Sequence, residues 1–261
     1  VSALKTYSKF YYGWRITTNN RYIDFNDGTG IKSVTLKTGY YTSVGLAIEV
    51  KKKMDAVSSL DFSVIFNRKT RQFTISSTAN FSLLFLTGPY NGQSSAQVLG
   101  FTNTDKTSAS AYTAELVSGF EYSNQFPLQS YKDPSTNRKA IDGLVNESAS
   151  GAVEVIKFGN KRFMEAEFLF ITNIVQPDAN IIRSSPTGVE DFIQFIEWCT
   201  EKAPIEFMKD ESDLFSFDEF ILESTPSDSK GLDYDLIEMY DVKLPYYYKI
   251  GPLKFRLQIG V

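Results

Sequence analysis

Histidine is absent from this 261-residue sequence, and cysteine occurs once, at Cys199. The first absence removes the side chain that most often moves protons near neutral pH, and with it the Ser-His-Asp and Cys-His arrangements and the usual zinc-hydrolase ligand sets. A lone cysteine excludes an intramolecular disulfide framework and a Cys-only zinc cluster, and suits a reducing compartment. Long apolar runs are missing too. No stretch nears the roughly 20 residues of a membrane span, and the opening VSALKTYSKF has neither the apolar core nor the cleavage site of a signal peptide. No G-x-G-x-x-G, Walker loop, G-x-S-x-G or H-E-x-x-H occurs, so the common dinucleotide, phosphate and hydrolase signatures are also missing.

Carboxylates, lysines and tyrosines remain for chemistry. Glu165 and Glu167 in RFMEAEFLFITNI share one face of a predicted strand, because side chains alternate along it. Such a spacing falls near the separation of a glycosidase acid pair by geometry alone, and a solvated strand face has the same pattern. The acidic loops Asp24–Gly30 and Ser227–Asp235 do not keep the spacing that wraps carboxylates round calcium, and Asn-Asp-Gly is first a turn sequence. The residues therefore predict no catalytic centre, no cofactor and no metal site.

What is abundant is aromatic: 21 Phe and 15 Tyr. A β-rich core uses many of them, and the surplus suits burial against partners. Charge is polarised. Up to Ser150 there are 16 Lys and Arg against 11 Asp and Glu, and after it 11 against 20. Opposed charges of this kind suit head-to-tail stacking, and equally two solvated surfaces of unlike composition; neither half is basic enough for nucleic acid.

Two β-rich domains with one helix each are predicted, an α+β, β-dominated class. The first spans 1–120, with strands in YYGWRITTNN, RYIDFND and VTLKTGY and a helix over 42–57. That helix places Leu46, Val50, Met54 and Val57 on one face behind an N-cap at Thr42 or Ser43. DFSVIFNRKTRQFTISSTANFSLLF follows as a hairpin turning at Asn67–Thr70, then a third strand FSLLF. Residues 87–114, rich in Gly, Ser, Thr and Asn, read as a surface excursion tacked down by Val98–Phe101. A connecting segment is expected at 121–150, then a second domain at 151–261. Two long strands there join through a turn at Phe158–Lys161, and a helix covers 187–202 behind the capping box Thr187–Glu190. Cys199 falls on its apolar stripe and reads as a core residue.

GYYTSVGLAIEVKKKMDAV, followed by DFSVIFNRKTRQFTISSTANFSLLFLTG and VLGF, resembles a module of structural proteins of tailed bacteriophages and other viruses. The second half, through IEFMKD to YYYKIGPLKFRL, resembles phage tail proteins of the tube and distal-tail kind. Distal-tail proteins often carry a sugar-binding-like domain after the tube domain, whereas here the additional module comes first. The resemblance implies a tail-tube-like second domain. It also implies a virion building block of the tail tip or baseplate that is not an enzyme. Such a subunit forms a homo-oligomeric ring, hexamer or trimer, and docks other tail proteins. It is assembled in the host bacterial cytoplasm, with no membrane or specific nucleic-acid partner. The residues expected at assembly contacts are Lys69 and Arg71 at the hairpin turn, Tyr90, Asn91 and Gln97 in the long loop, and Gly159, Asn160 and Lys161 at the second hairpin tip. The alternatives are a carbohydrate-binding, host-recognition module using tyrosines and Trp14 as stacking platforms, a capsid-associated virion protein, and a glycosidase acting through Glu165 and Glu167.

Overall fold

The computed structural model describes residues 9–123, 131–132, 138–147, 153–171, 195, 198–208, 217–224, 234–237 and 247–257. They form a β-dominated α+β fold with two principal sheet regions and helical structure in each. In chain order the first elements are β1 (Lys9–Tyr12), β2 (Trp14–Ile16), β3 (Tyr22–Asn26), β4 (Ile31–Thr35), β5 (Gly39–Tyr41) and α1 (Ser43–Asp55). They are followed by β6 (Phe62–Asn67), β7 (Gln72–Leu83), β8 (Lys106–Thr113) and β9 (Phe120–Ser123). Next come β10 (Tyr131–Lys132), β11 (Arg138–Glu147), β12 (Val153–Ile171), β13 (Ile205–Met208), β14 (Asp218–Ser224), β15 (Tyr234–Ile237) and β16 (Tyr247–Leu257). The predicted strand VTLKTGY is split between β4 and β5, which lie in different sheets.

Helix α1 forms where its spacing demands. Thr42 sits in extended backbone and its hydroxyl accepts from the Gly45 N–H at 3.1 Å, satisfying one of the donors a helix start leaves open. Leu46, Val50 and Met54, four residues apart, are all buried. Lys52 and Lys53 in the last turn complement the dipole, and Val57, expected on the helical face, lies past the helix end and is exposed.

The helix packs beside a five-stranded sheet in which β4-β3-β7-β6 run side by side and β8 also pairs β7. The β6–β7 register, Phe66 opposite Phe73 and Asn67 opposite Gln72, closes the predicted turn. Asn67 Oδ1 accepts from the Lys69 and Thr70 N–H groups, and Arg71 takes a left-handed φ of 55° to re-enter the ladder. FSLLF is not a separate strand, because β7 runs on to Leu83. Its ladder with β8 is irregular between Ser76 and Phe81, and Phe81 and Leu83, on the same alternation as Phe73 and Ile75, are buried with them in the core. Edge-to-face contacts of Phe62 with Phe25 and Phe81, at 5.5 and 5.2 Å, lock that core. The excursion is tied down as expected by buried Leu99 and Phe101, but its second half is strand β8.

The larger sheet, nine-stranded among the described residues, runs β10-β12-β16-β14-β13-β1-β9, with β11 on β12 and β15 on β16. Segments expected to connect the domains therefore contribute β10 and β11, and β1, from the N-terminal end, pairs both β13 and β9. Gly13 carries the chain from that sheet toward β2: its φ is 104°, and a Cβ there would meet Phe120 Cδ2 at 2.3 Å. Around β1, Phe10 contacts Phe195 and Phe207 with ring centroids 5.1 and 5.0 Å apart.

One predicted turn is replaced by continuous strand. Phe158–Lys161 lies inside β12, so Gly159, Asn160 and Lys161 are not at a hairpin tip. β11 pairs along both halves of that stretch, and the ladder steps from Asp142 opposite Gly159 to Gly143 opposite Lys157, leaving Phe158 as an extra residue. A glycine that reads as a turn can equally mark a β-bulge when a long partner strand is present. Of the second predicted helix, residues 187–194, 196 and 197 lie outside the described residues; 195 and 198–200 are helical, Cys199 is fully buried, and Lys202 has a φ of 57°.

Candidate functional site

The basic hairpin tip does not project into solvent as a unit. Arg71 is only 4% exposed, and its guanidinium donates to the Gly119 carbonyl. Left-handed backbone at the turn's last residue directs Arg71, expected at an assembly contact, into the protein. Arg68, which the sequence reading passed over, turns toward the larger sheet. Its Nε and Nη2 donate to Glu206 Oε2 at 3.1 and 3.0 Å. Of the tip's three cations, Lys69 alone is exposed.

Glu206 on β13 is the centre of the junction and is fully buried. Its other oxygen, Oε1, accepts from the Ser43 N–H and from the Ser43 hydroxyl, each at 2.6 Å. A carboxylate is favoured at this place, since Ser43 opens α1 and the positive end of the helix dipole lies there. The Arg68 guanidinium also covers the Phe217 ring at 3.6 Å, an interaction strengthened by exclusion of water. Helix start, hairpin tip and the second sheet thus meet on one carboxylate.

Glu219 stands directly across the β13–β14 ladder from Glu206. Its Oε1 accepts from the Thr42 hydroxyl at 2.8 Å. Burial, followed by the neighbouring Glu206 charge, pushes the Glu219 carboxyl above its ordinary range. The structure brings together this carboxylate pair, not one singled out from the sequence. It does not have the form of an acid–base centre: both oxygens of Glu206 are occupied by two donors each, and no substrate atom can reach a fully buried group. It can instead hold two sheets in register.

A second junction lies nearby in the chain. The Tyr40 hydroxyl donates to Glu201 Oε2, and the Tyr40 ring meets Trp198 edge-on at 5.0 Å with Arg15 over its face. The hydrogen bond to Glu201, then burial, raises the Tyr40 pKa. Burial raises the Cys199 thiol, as suits the core residue expected there.

The remaining predicted positions separate. Tyr90 is 45% exposed and stacks on Tyr22 at 4.2 Å, while its N–H donates to Asp24 Oδ2. Asn91 is exposed and donates to the Leu86 carbonyl; Gln97 is exposed. Trp14, expected as a stacking platform, is 1% exposed with its Nε1–H on Ser118 Oγ, so it serves the core. In the Asp24–Gly30 loop, Asp27 accepts from Thr29 and Ser58 and pairs Lys32 at 2.9 Å. Burial opposes its charge, but those donors hold its carboxyl well below the usual range. This is a satisfied turn, and no cluster of three metal-ligating side chains occurs among the described residues. Residues 227–233 of the second acidic loop lie outside the described residues, and Glu165 and Glu167 sit in β12 opposite Lys254 and Lys132.

No protein-family model matches the chain, and no curated protein matches it in sequence.

Proposed function

We propose that the chain is a non-enzymatic structural subunit of a tailed-bacteriophage tail tip or baseplate, joining copies of itself into a ring that docks neighbouring tail proteins. The observation that carries this reading is the outer surface of β6, β7 and β8. No charged residue occurs between Arg71 and Asp105, or between Lys106 and Glu115. Level across the three strands lie Ser63, Ser76 and Ala111, and then Ile65, Thr74 and Thr113. Two strand edges border this face, since β6 and β8 pair only β7 among the described residues. An isolated protein commonly protects such edges with charge, proline or a cover; a subunit uses them for association. Native mass spectrometry and electron microscopy test the reading. Closed oligomers and incorporation into virions are expected; a monomer at every concentration, with no recruitment to virions, would refute it.

The Tyr22–Tyr90 stack favours a second reading, a glycan-binding module, because an exposed ring held by a stacked partner is preorganised for a sugar face. Glycan-array binding abolished by Tyr90→Ala would support it.

A further inference from the structure

We infer that successive copies join by parallel pairing of β6 from one copy with β8 of the next, without slip along the strands; this rests on the ring reading and identifies its contact. The argument is one of hydrogen-bond phase. In an antiparallel ladder, residues alternate between pairs that exchange both backbone bonds and pairs whose N–H and C=O point away. The Phe62 N–H donates to Asp55 and its carbonyl accepts from Lys51, so Phe62 presents its backbone away from β7. By alternation Val64 and Phe66 do the same, and no described residue hydrogen-bonds their outward backbone groups as Asp55 and Lys51 do those of Phe62. On the far side of β7, the Ala114 N–H donates to the Phe73 carbonyl. Ala114 and Tyr112 therefore turn their backbones toward β7, and Ala111 and Thr113 turn theirs outward.

These two free edges have matching phase. Val64 lies level with Ile75, and Ile75 with Tyr112. A parallel ladder joins one residue, through its outward N–H and C=O, to the residues before and after its level partner. With copies set level, Val64 meets Ala111 and Thr113 of the neighbouring copy, which are the two whose groups point outward. β6 and β8 both run antiparallel to β7, so the strand direction is also correct.

The faces agree as well. Val64 and Tyr112 both pack on the core, so a level join keeps apolar side chains inside, whereas a one-residue slip would turn them out. Ile65 and Thr113 then continue a stripe of β-branched residues across the join. Because the two edges differ, the contact is heterologous and repeats until rotation closes it.

Cysteine cross-linking tests this. Ser63 and Ala111 are exposed and level on the same face, with Ser76 between them. Two strand spacings, about 9.6 Å, exceed the roughly 7 Å limit for a disulfide, so the pair cannot close within one copy. Oxidation of Ser63→Cys/Ala111→Cys should give a ladder of covalent oligomers, with neither single variant cross-linking. Thr113→Pro, which removes an outward N–H, should remain folded by circular dichroism and lose assembly. Absence of the ladder, cross-linking by a single variant, or assembly of Thr113→Pro would overturn the edge contact while wild-type rings left the ring reading intact. A wild-type chain that never assembles would remove both.

Discussion

Replacing Arg68 with methionine should destabilise the fold far more than removal of a surface charge. The change retains an apolar stem over Phe217 but removes both donors to Glu206 Oε2. Breaking a buried pair by deleting one partner costs about 3–5 kcal/mol, since the other charge is left unpaired. Glu206 keeps both donors from Ser43, so the lower end, about 3 kcal/mol, is expected. Urea unfolding followed by tryptophan fluorescence measures it, and with m near 2 kcal/mol/M the midpoint should fall by about 1.5 M.

A double-mutant cycle separates pairing from packing. Glu206→Gln keeps an oxygen for Ser43 but sets an amide donor against the guanidinium, so it should cost a similar amount. Combining it with Arg68→Met removes that conflict, and a coupling of about 1.5–3 kcal/mol is expected for a charged hydrogen-bonded pair. An Arg68→Met cost below about 1 kcal/mol would place the contact in the surface class. That result, or additivity of the two changes within about 0.5 kcal/mol, would refute the junction as the element joining the two sheets.

Glu219→Gln should raise the melting temperature at pH 7. A carboxyl whose folded pKa is raised contributes stability below its unfolded value of about 4.3 and loses it as pH rises, so the gain from the neutral amide should vanish below pH 4 in a calorimetric series. Gly13→Ala should cost more than about 1 kcal/mol in the same unfolding assay, because both the positive φ and the Phe120 ring oppose a methyl group; an unchanged midpoint would refute that account. Charge reversal distinguishes neighbours in the tip. Lys69→Glu should leave melting unchanged, whereas Arg71→Glu should lower it steeply, since it sets a buried carboxylate against the Gly119 carbonyl.

What could be read from the sequence was local. Leu46, Val50 and Met54 announce α1 by their spacing, and Phe62 to Ile75 announce a hairpin by alternation, because helix and strand periods are properties of neighbouring residues. Pairing between distant segments has no such signature. Nothing within IEFM or FDEF says that Glu206 and Glu219 stand opposite each other, and that register brings the carboxylates together. One signal was available: Glu206 sits amid apolar residues in a strand whose four members are all buried. A charge in that setting requires a partner. Gly159 shows the reverse case, a turn residue overruled by a partner strand long enough to absorb it as a bulge.

The tip also shows why composition alone misplaces a contact surface. Asn67 to Arg71 contains three cations in five positions, and a solvated hairpin turn would present all of them. Here Arg68 and Arg71 are taken by a carboxylate and a carbonyl of the same chain, which leaves one exposed lysine. One pair of opposed charges from the two halves, Arg68 and Glu206, is thus engaged within one molecule. In the proposed ring, association would draw instead on the backbone N–H and C=O groups at the β6 and β8 edges, which lie among uncharged residues. Such an interface is directional and weakly dependent on ionic strength. Rings formed by β6 and β8 should therefore persist in molar salt, where an interface between basic and acidic halves would dissociate; salt-induced monomers in native gels or sedimentation would return the contact to the charged surfaces.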